Sequence, residues 1–419
     1  VKRRRSLTHV GGEVYVSGNR DVTQALAKAL AVAPPDGRSP TLPEPGRNLD
    51  GGDEADRAHV HGFHSYPARM HPAVAAGLVA AFSASGATVL DPFCGSGTVL
   101  VEAMIAGRRA VGTDLNPLAV RLAQMKTAPL GGPVRDEMVT AAREIAAFAD
   151  DRRARRAGAT RRYPPEDVAA FDPHVLLELD SIRAGVEGLR KDPRVKECLW
   201  LVLSAILVKM SRKASDTSSA VAPRRIGAGF AARLFARKTE ELARRLAELE
   251  GLLPPDARPA KVALDDATRL RSVGASTVDA VITSPPYAAT YDYVAHHALR
   301  MRWLGIDPRS MGGELGSRRR YARLDPREAR EVWSHELGSA LRALSRVCRK
   351  GARAVLLMAD SAVGGEAMRA DAMVEGVAPA AGFVLLGRAS QRRPHFHEPS
   401  AGAFAKSPRA EHAIALEKG

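Results

Sequence analysis

The stretch "ATVLDPFCGSGTVLVEAMIAGRRAVGTDLNPLAVRLAQMK", residues 87–126, narrows the fold more than any other part of the chain. An apolar run ends at Asp91, a glycine-rich turn follows, and an apolar helical pattern starts at Thr98. A second apolar run ends at Asp114, and Pro117 stands at a favourable first-turn position of a second helix. Strand, helix, strand, helix at this pitch requires a parallel sheet, because parallel neighbours are joined only by crossovers. Open sheets of that kind bind ligands beyond the carboxyl ends of their strands. Gly95 and Gly97 let the backbone turn tightly and approach a ligand without a Cβ in the way. The third glycine of a dinucleotide fingerprint is absent, and so is the GK[ST] of a nucleotide P-loop, which disfavours a pyrophosphate cradle. A carboxylate at Asp114 suits both hydroxyls of a ribose. A tight turn plus a helix cap is the plainer reading, and the joint occurrence of DPFCGSGT and GTDLNP argues against it.

The remaining chain organises around this unit. Residues 1–57 are rich in Gly, Pro and charge and read as a flexible basic arm with a short helix over 20–32. Residues 58–127 hold the first α/β part. Residues 128–258 break the rhythm and read as a helical, basic insertion, a candidate target-recognition region. The α/β pattern resumes over 259–419 with "AKVALDDATRL", "VDAVITSPPY" and "ARAVLLMAD", and closes on "GFVLLGRASQ" and "EHAIALEK" as an antiparallel pair. The expected fold is α/β, a Rossmann-like sheet of about seven strands with a helical insertion.

Composition bounds the partners. The 419 residues are 45% hydrophobic, ordinary for a globular protein, and carry a formal charge of +15. That excess favours a polyanion such as nucleic acid over a merely soluble basic protein. The 3 cysteines are odd in number and far apart, so neither a disulfide framework nor a structural zinc site is expected, and a reducing compartment fits. No apolar run is long enough for a bilayer and "VKRRRSL" lacks an apolar core, so the expected location is cytoplasmic, with no membrane contact. His59, His61, His64, His296, His297, His395 and His397 are too loosely patterned for a ligand set, and no metal is expected. No obligate protein partner is evident.

The segment "VDAVITSPPYAATYDYV", residues 278–294, ends a buried strand at two prolines, which cannot donate ladder hydrogen bonds. An exocyclic amine on a base is a poor nucleophile because its lone pair is delocalised into the ring. Acceptors fixed around its hydrogens favour the pyramidal geometry and the positive charge that grow during attack on a methyl donor. The Ser284 hydroxyl and the Pro285 carbonyl can be those acceptors, held rigidly by Pro285 and Pro286. Tyr287 can offer a ring face to a base taken out of the stack. A bare Pro-Pro turn closing a strand is the plainer alternative. No cysteine lies near this loop, and Cys94 reads as a packing residue.

These residues carry a family resemblance. "DPFCGSGT", "GTDLNPLAV" and "TSPPY", preceded by "HSYPARMHP" at 64–72, resemble the amino-methyltransferases that use S-adenosylmethionine. The likeness covers about residues 59–127 and 260–419 and implies the class I methyltransferase sheet. It implies cofactor contacts from His64, Tyr66, Pro67 and Ala68, from Asp91, Phe93, Gly95, Gly97 and Thr98, and from Asp114 and Leu115. Related enzymes place an acid on the cofactor adenine amine where "ALDDATRL" ends its strand. Asp266 is the choice and Asp265 the alternative, with helix capping a competing role. TSPPY looks most like cytosine-N4 DNA enzymes, while adenine-N6 enzymes more often carry Asp at the place of Ser284. Double-stranded DNA is the implied partner, ahead of RNA. The insert resembles no target-recognition domain. Its Ser/Thr-rich basic stretch makes Lys209, Arg212, Lys213, Arg224 and Arg225 candidates for phosphate contacts, with Tyr291 beside the base pocket, although a solvated loop explains the same charges. An RNA guanine-N2 methyltransferase and a non-catalytic binder on the same fold are the other readings.

Overall fold

A computed structural model describes residues 13–31, 54–213, 225–311, 313–393 and 398–419. In chain order its strands are β1 (Val14–Gly18), β2 (Thr88–Asp91), β3 (Arg109–Asp114), β4 (Lys261–Leu264), β5 (Val278–Thr283) and β6 (Cys348–Ala359). A small hairpin of β7 (Ser361–Val363) and β8 (Glu366–Met368) follows, then β9 (Phe383–Arg392) and β10 (Ala410–Lys418). One sheet runs in the order β1-β9-β10-β6-β5-β2-β3-β4. From β6 to β4 all neighbours are parallel, while β10 is antiparallel to both β6 and β9. The mostly parallel α/β sheet expected from the sequence is present, with one strand more than the seven foreseen.

The additional strand is β1. It pairs antiparallel with β9, Val14 opposite Gln391 and Gly18 opposite Gly387. The helix Arg20–Leu30 follows, capped by the Asn19 carboxamide, which accepts from Asp21 N and Val22 N at 3.0 and 3.2 Å. It buries Val22, Leu26, Ala29 and Leu30 in a core shared with the helix Pro72–Phe82. Residues 13–31 are therefore part of the folded unit rather than of a flexible arm. The cause is tertiary: a short strand finds an unpaired sheet edge, and the helix behind it has one apolar face. The other residues of the expected arm lie outside the described ones.

The insertion contains the helices Gly132–Ala154, Pro165–Ala170, Pro173–Gly188, Pro193–Met210 and Phe230–Glu250. Prolines in the first turn fix where the first four begin. The fifth starts on the buried Glu178 carboxylate, which accepts from Gly229 N and Ala231 N and so supplies the negative charge a helix start favours. The insertion does not close a core of its own. Its Leu199, Leu203, Phe235 and Leu242 pack in one cluster with Val60, Phe63, Leu118 and Leu122 of the first α/β part and with Leu299 and Trp303 of the helix Tyr293–Leu304. Among the described residues no helix is long and apolar enough to cross a membrane.

Candidate active site

The carboxyl ends of β2, β3, β4 and β5 open onto one pocket, whose lining includes Asp91, Asp114, Asp266 and Ser284. At the end of β2 the Asp91 Oδ1 accepts from Phe93 N at 3.1 Å and from Thr283 Oγ1 at 2.6 Å. The second bond ties the Gly-rich turn to the strand that carries Ser-Pro-Pro-Tyr. Burial pushes the Asp91 carboxyl up to about 7.

The turn itself depends on two glycines. Gly95 has φ 50° and Gly97 φ 87°, conformations in which a side chain is strained. A Cβ on Gly95 would sit 3.2 Å from the Tyr66 ring, across the pocket. A Cβ on Gly97 would sit 3.2 Å from Ala123 of the next helix, so Gly97 serves close packing and Gly95 keeps the pocket open.

At the end of β3 the Asp114 Oδ2 accepts from Gly95 N and its Oδ1 from Asn116 N, both at 2.8 Å. Burial pushes this carboxyl up to about 6 against those two bonds. Asn116 caps the helix Pro117–Thr127 and donates from Nδ2 to the Tyr66 hydroxyl at 3.3 Å. The Tyr66 ring stacks on His297, with centroids 5.0 Å apart, and faces Tyr293 at 6.4 Å. Ala68, also on the lining, is held at φ 57°, the kind of backbone strain that gathers at ligand sites. Phe93, Thr98 and Leu115 complete this side.

Of the two acids after β4, Asp266 lines the pocket. Asp265 is taken up by Ser272, whose N and Oγ donate to it at 2.7 and 2.6 Å. Asp266 also accepts from Thr268 N at 2.8 Å, so capping and lining coincide in one residue. After β5, Ser284 and Pro286 face the pocket while Pro285 is buried.

Several expected residues stand elsewhere. His64 does not line the pocket: it is buried, with Nε2 on Ser204 Oγ at 3.0 Å and Nδ1 on its neighbour's carbonyl. It fastens the pocket wall to the helix Pro193–Met210, and the Arg300 guanidinium packs on the same pair. Pro67 lies between two lining residues without lining itself. Tyr287 is half-buried against the core under β5 and β6 and donates to Glu411 Oε1 at 3.4 Å. Its ring is committed to that packing, while Tyr66, Phe93 and Tyr293 line the pocket, and Tyr291 tilts onto Tyr293 at 5.6 Å. Among the candidate phosphate contacts, Lys209 and Arg225 are exposed, Arg212 pairs with Asp172 at 2.5 Å, Lys213 is half-buried, and Arg224 lies outside the described residues.

Two lining residues carried little sequence signal. Asn116 sits inside GTDLNP and is legible as a helix cap. Glu314, in "MGGELGS", follows no motif. Its Oε1 accepts from Tyr293 N at 2.9 Å, and burial pushes its carboxyl up to about 7. Cys94 also lines the pocket, but burial raises its thiol well above the usual range, which leaves it a packing group.

The family described as DNA methylase matches residues 44–125. The type II methyltransferase M.MvaI of Kocuria varians is 38% identical over 74 residues, 17% of this chain and 16% of that protein. M.MjaII of Methanocaldococcus jannaschii is 35% identical over 68 residues, 16% of this chain and 13% of that one. M.BsoBI of Geobacillus stearothermophilus is 24% identical over 277 residues, 60% of this chain and 54% of that one. The chain spans less than two thirds of the length of each of these three relatives.

Proposed function

We propose that this chain is an S-adenosylmethionine-dependent DNA amino-methyltransferase that methylates cytosine at N4 in double-stranded DNA, a reading supported by its likeness to the DNA methylase family and to type II methyltransferases. The observation that carries the reading is the placement of Ser284 and Pro286 on the same pocket as Asp114 and Gly95. An amine held at the elbow after β5 then meets a methyl donor held at the ends of β2 and β3. The pocket fits that donor. It has a half-buried carboxylate at Asp114 for a ribose diol, a second acid at Asp266 for an adenine amine, and a glycine where a Cβ would abut Tyr66. Bound S-adenosylmethionine supplies a sulfonium methyl.

The chain's own residues do the rest. Ser284 and the Pro285 carbonyl accept the amino hydrogens and so favour the pyramidal nitrogen that attacks. The two prolines keep those acceptors from reorganising during the transfer. Asp91 and Thr283 lock the relative position of the two strand ends at 2.6 Å. Tyr293 and Tyr291 offer stacking surface to a base rotated out of the duplex. Serine at 284 follows the TSPPY form that resembles cytosine-N4 enzymes, and its hydroxyl can accept from the amine while donating to the ring nitrogen beside it, a geometry that cytosine N3 and adenine N1 share. Lys209 and Arg225, both exposed, would contact the nucleic-acid backbone in the way that positions a duplex.

Nucleoside mass spectrometry of DNA from a host lacking other methylases, after expression of the chain, should show N4-methylcytosine. Ser284→Ala should lower the mark while leaving cofactor binding intact. N6-methyladenine would replace the cytosine reading, a methylated RNA guanine would move the substrate to RNA, and 5-methylcytosine would contradict the mechanism.

The cofactor site should also titrate. Asp114 can serve both ribose hydroxyls only when ionised, and it holds its proton up to about pH 6. A bound donor favours the ionised form, so the complex has the lower pKa, and linkage makes affinity rise with pH up to about 6 and level off above it. Asp91 and Glu314 face the same pocket and titrate at about 7. Asp114→Asn separates them, because only the rise ending near 6 should vanish. Fluorescence titration of the cofactor between pH 5 and 8 reads this, and an identical profile in the variant would remove Asp114 from the ribose site.

A further inference from the structure

A second cluster lies away from the catalytic pocket, where the segment before the Gly-rich turn crosses the helix Thr98–Ile105. His59 and His61, one residue apart on a short 3-10 turn, face Glu102 of that helix, and the candidate ligand atoms of the three lie within 4.8 Å of one another. The His61 Nε2 stands 2.7 Å from Glu102 Oε1, and the two imidazoles are 4.6 Å apart. All three residues line a separate pocket whose other walls are apolar, among them Ala73, Ala76, Ile105 and Leu252.

We propose that His59, His61 and Glu102 bind a divalent transition metal, with zinc the best match. Two imidazoles and one carboxylate form a borderline-soft donor set suited to zinc, and the adjoining pocket leaves room for a fourth ligand. The Nδ1 atoms of both histidines are buried and without a hydrogen-bond partner, while the residues are 8% and 1% exposed. Buried polar atoms are normally satisfied, and an ion held beside the His61 Nε2 and Glu102 could take the His59 Nδ1 as a ligand and so satisfy it. Burial also keeps both rings neutral, the form that ligates.

The surroundings permit the added charge. Arg69 donates to the His61 carbonyl and Arg245 to the His59 carbonyl, which fixes the turn, and each guanidinium is paired, with Asp56 and Glu241 respectively. Burial drives the nearby Lys126 towards its neutral form. A second cluster, Asp360, Asp371 and His412, lacks this character. There Arg369 stands 2.8 Å from Asp360 and Arg388 2.7 Å from Asp371, so guanidinium groups already supply the cation.

Calorimetric titration of the chelator-stripped full chain with zinc, with bound metal counted by elemental mass spectrometry, tests the site. One equivalent is expected. His61→Ala should weaken binding by at least about 100-fold, since loss of outer-shell partners alone costs 10–100-fold. Glu102→Gln keeps the packing shape and should weaken it by at least roughly tenfold. It decides the matter if the alanine variant fails to fold, as judged by circular dichroism. His412→Ala should leave the stoichiometry unchanged. Absence of zinc from the parent, full affinity in Glu102→Gln, or transfer of the loss to His412→Ala would each overturn the proposal.

Discussion

Asp114→Ala should lower the affinity for S-adenosylmethionine by about 3 kcal/mol, roughly two decades in Kd. The carboxylate holds both sides of the pocket, accepting from Gly95 N and Asn116 N at 2.8 Å each. Its remaining lone pairs face the cavity, where a ribose diol would donate. The alanine variant loses the diol acceptors and the anchor of the turn together, and hydrogen bonds to a charged group are worth more than neutral ones. Asp114→Asn preserves the shape and one acceptor, so it should lie between variant and parent. The fold should survive both changes, because the half-buried carboxylate is held at a desolvation cost that the substitutions relieve. Calorimetry decides, and equal affinity in Asp114→Ala and the parent would sink the assignment.

Arg393→Met should destabilise the protein by about 3–5 kcal/mol, the usual cost of leaving one member of a buried ion pair alone. Arg393 donates from Nε and Nη2 to Glu411 Oε2 at 3.1 and 3.0 Å. The two side chains are 0% and 3% exposed, so water cannot replace the missing guanidinium. Glu411 lies on β10, a strand flanked on both sides within the sheet, and its other oxygen meets the Tyr287 hydroxyl. Methyl transfer should therefore fall as well, through a loosened catalytic elbow. Adding Glu411→Gln to Arg393→Met should restore much of the stability, because the orphaned charge is then gone. Urea midpoints at neutral pH measure both effects. An unchanged midpoint in the single variant would show that the pair contributes nothing.

The parallel half of the sheet was legible because its signals are local. Glycines end strands, Asn116-Pro117 starts a helix, and apolar runs mark strands buried on both faces. The same locality found Asp91, Gly95, Asp114, Asp266 and Ser284, each at a strand end or in a turn. What escaped depends on contacts distant in sequence. β1 is five residues, VYVSG, with four exposed, too short to announce itself, and it exists because β9 offers an edge. His64 stands in a cofactor motif, yet its partner Ser204 comes from the insertion, which turns the ring away from the pocket. Tyr287 belongs to the catalytic motif, yet the strand end bearing Glu411 draws its hydroxyl outward. His59 and His61 read as scattered histidines because Glu102 reaches them from a helix on the far side of the Gly-rich turn.

The pairing of Val14 with Gln391 has a consequence during synthesis. A ribosome delivers the strand Val14–Gly18 long before its partner Phe383–Arg392. Throughout translation the helix Arg20–Leu30 must hold an apolar face with only part of its final packing, and the outer rim of the nascent sheet stays open. Such rims recruit foreign strands, and long waits for distant partners slow folding. Two strands far apart in sequence therefore close this rim jointly, like a clasp that can be fastened only when the band between them has been threaded.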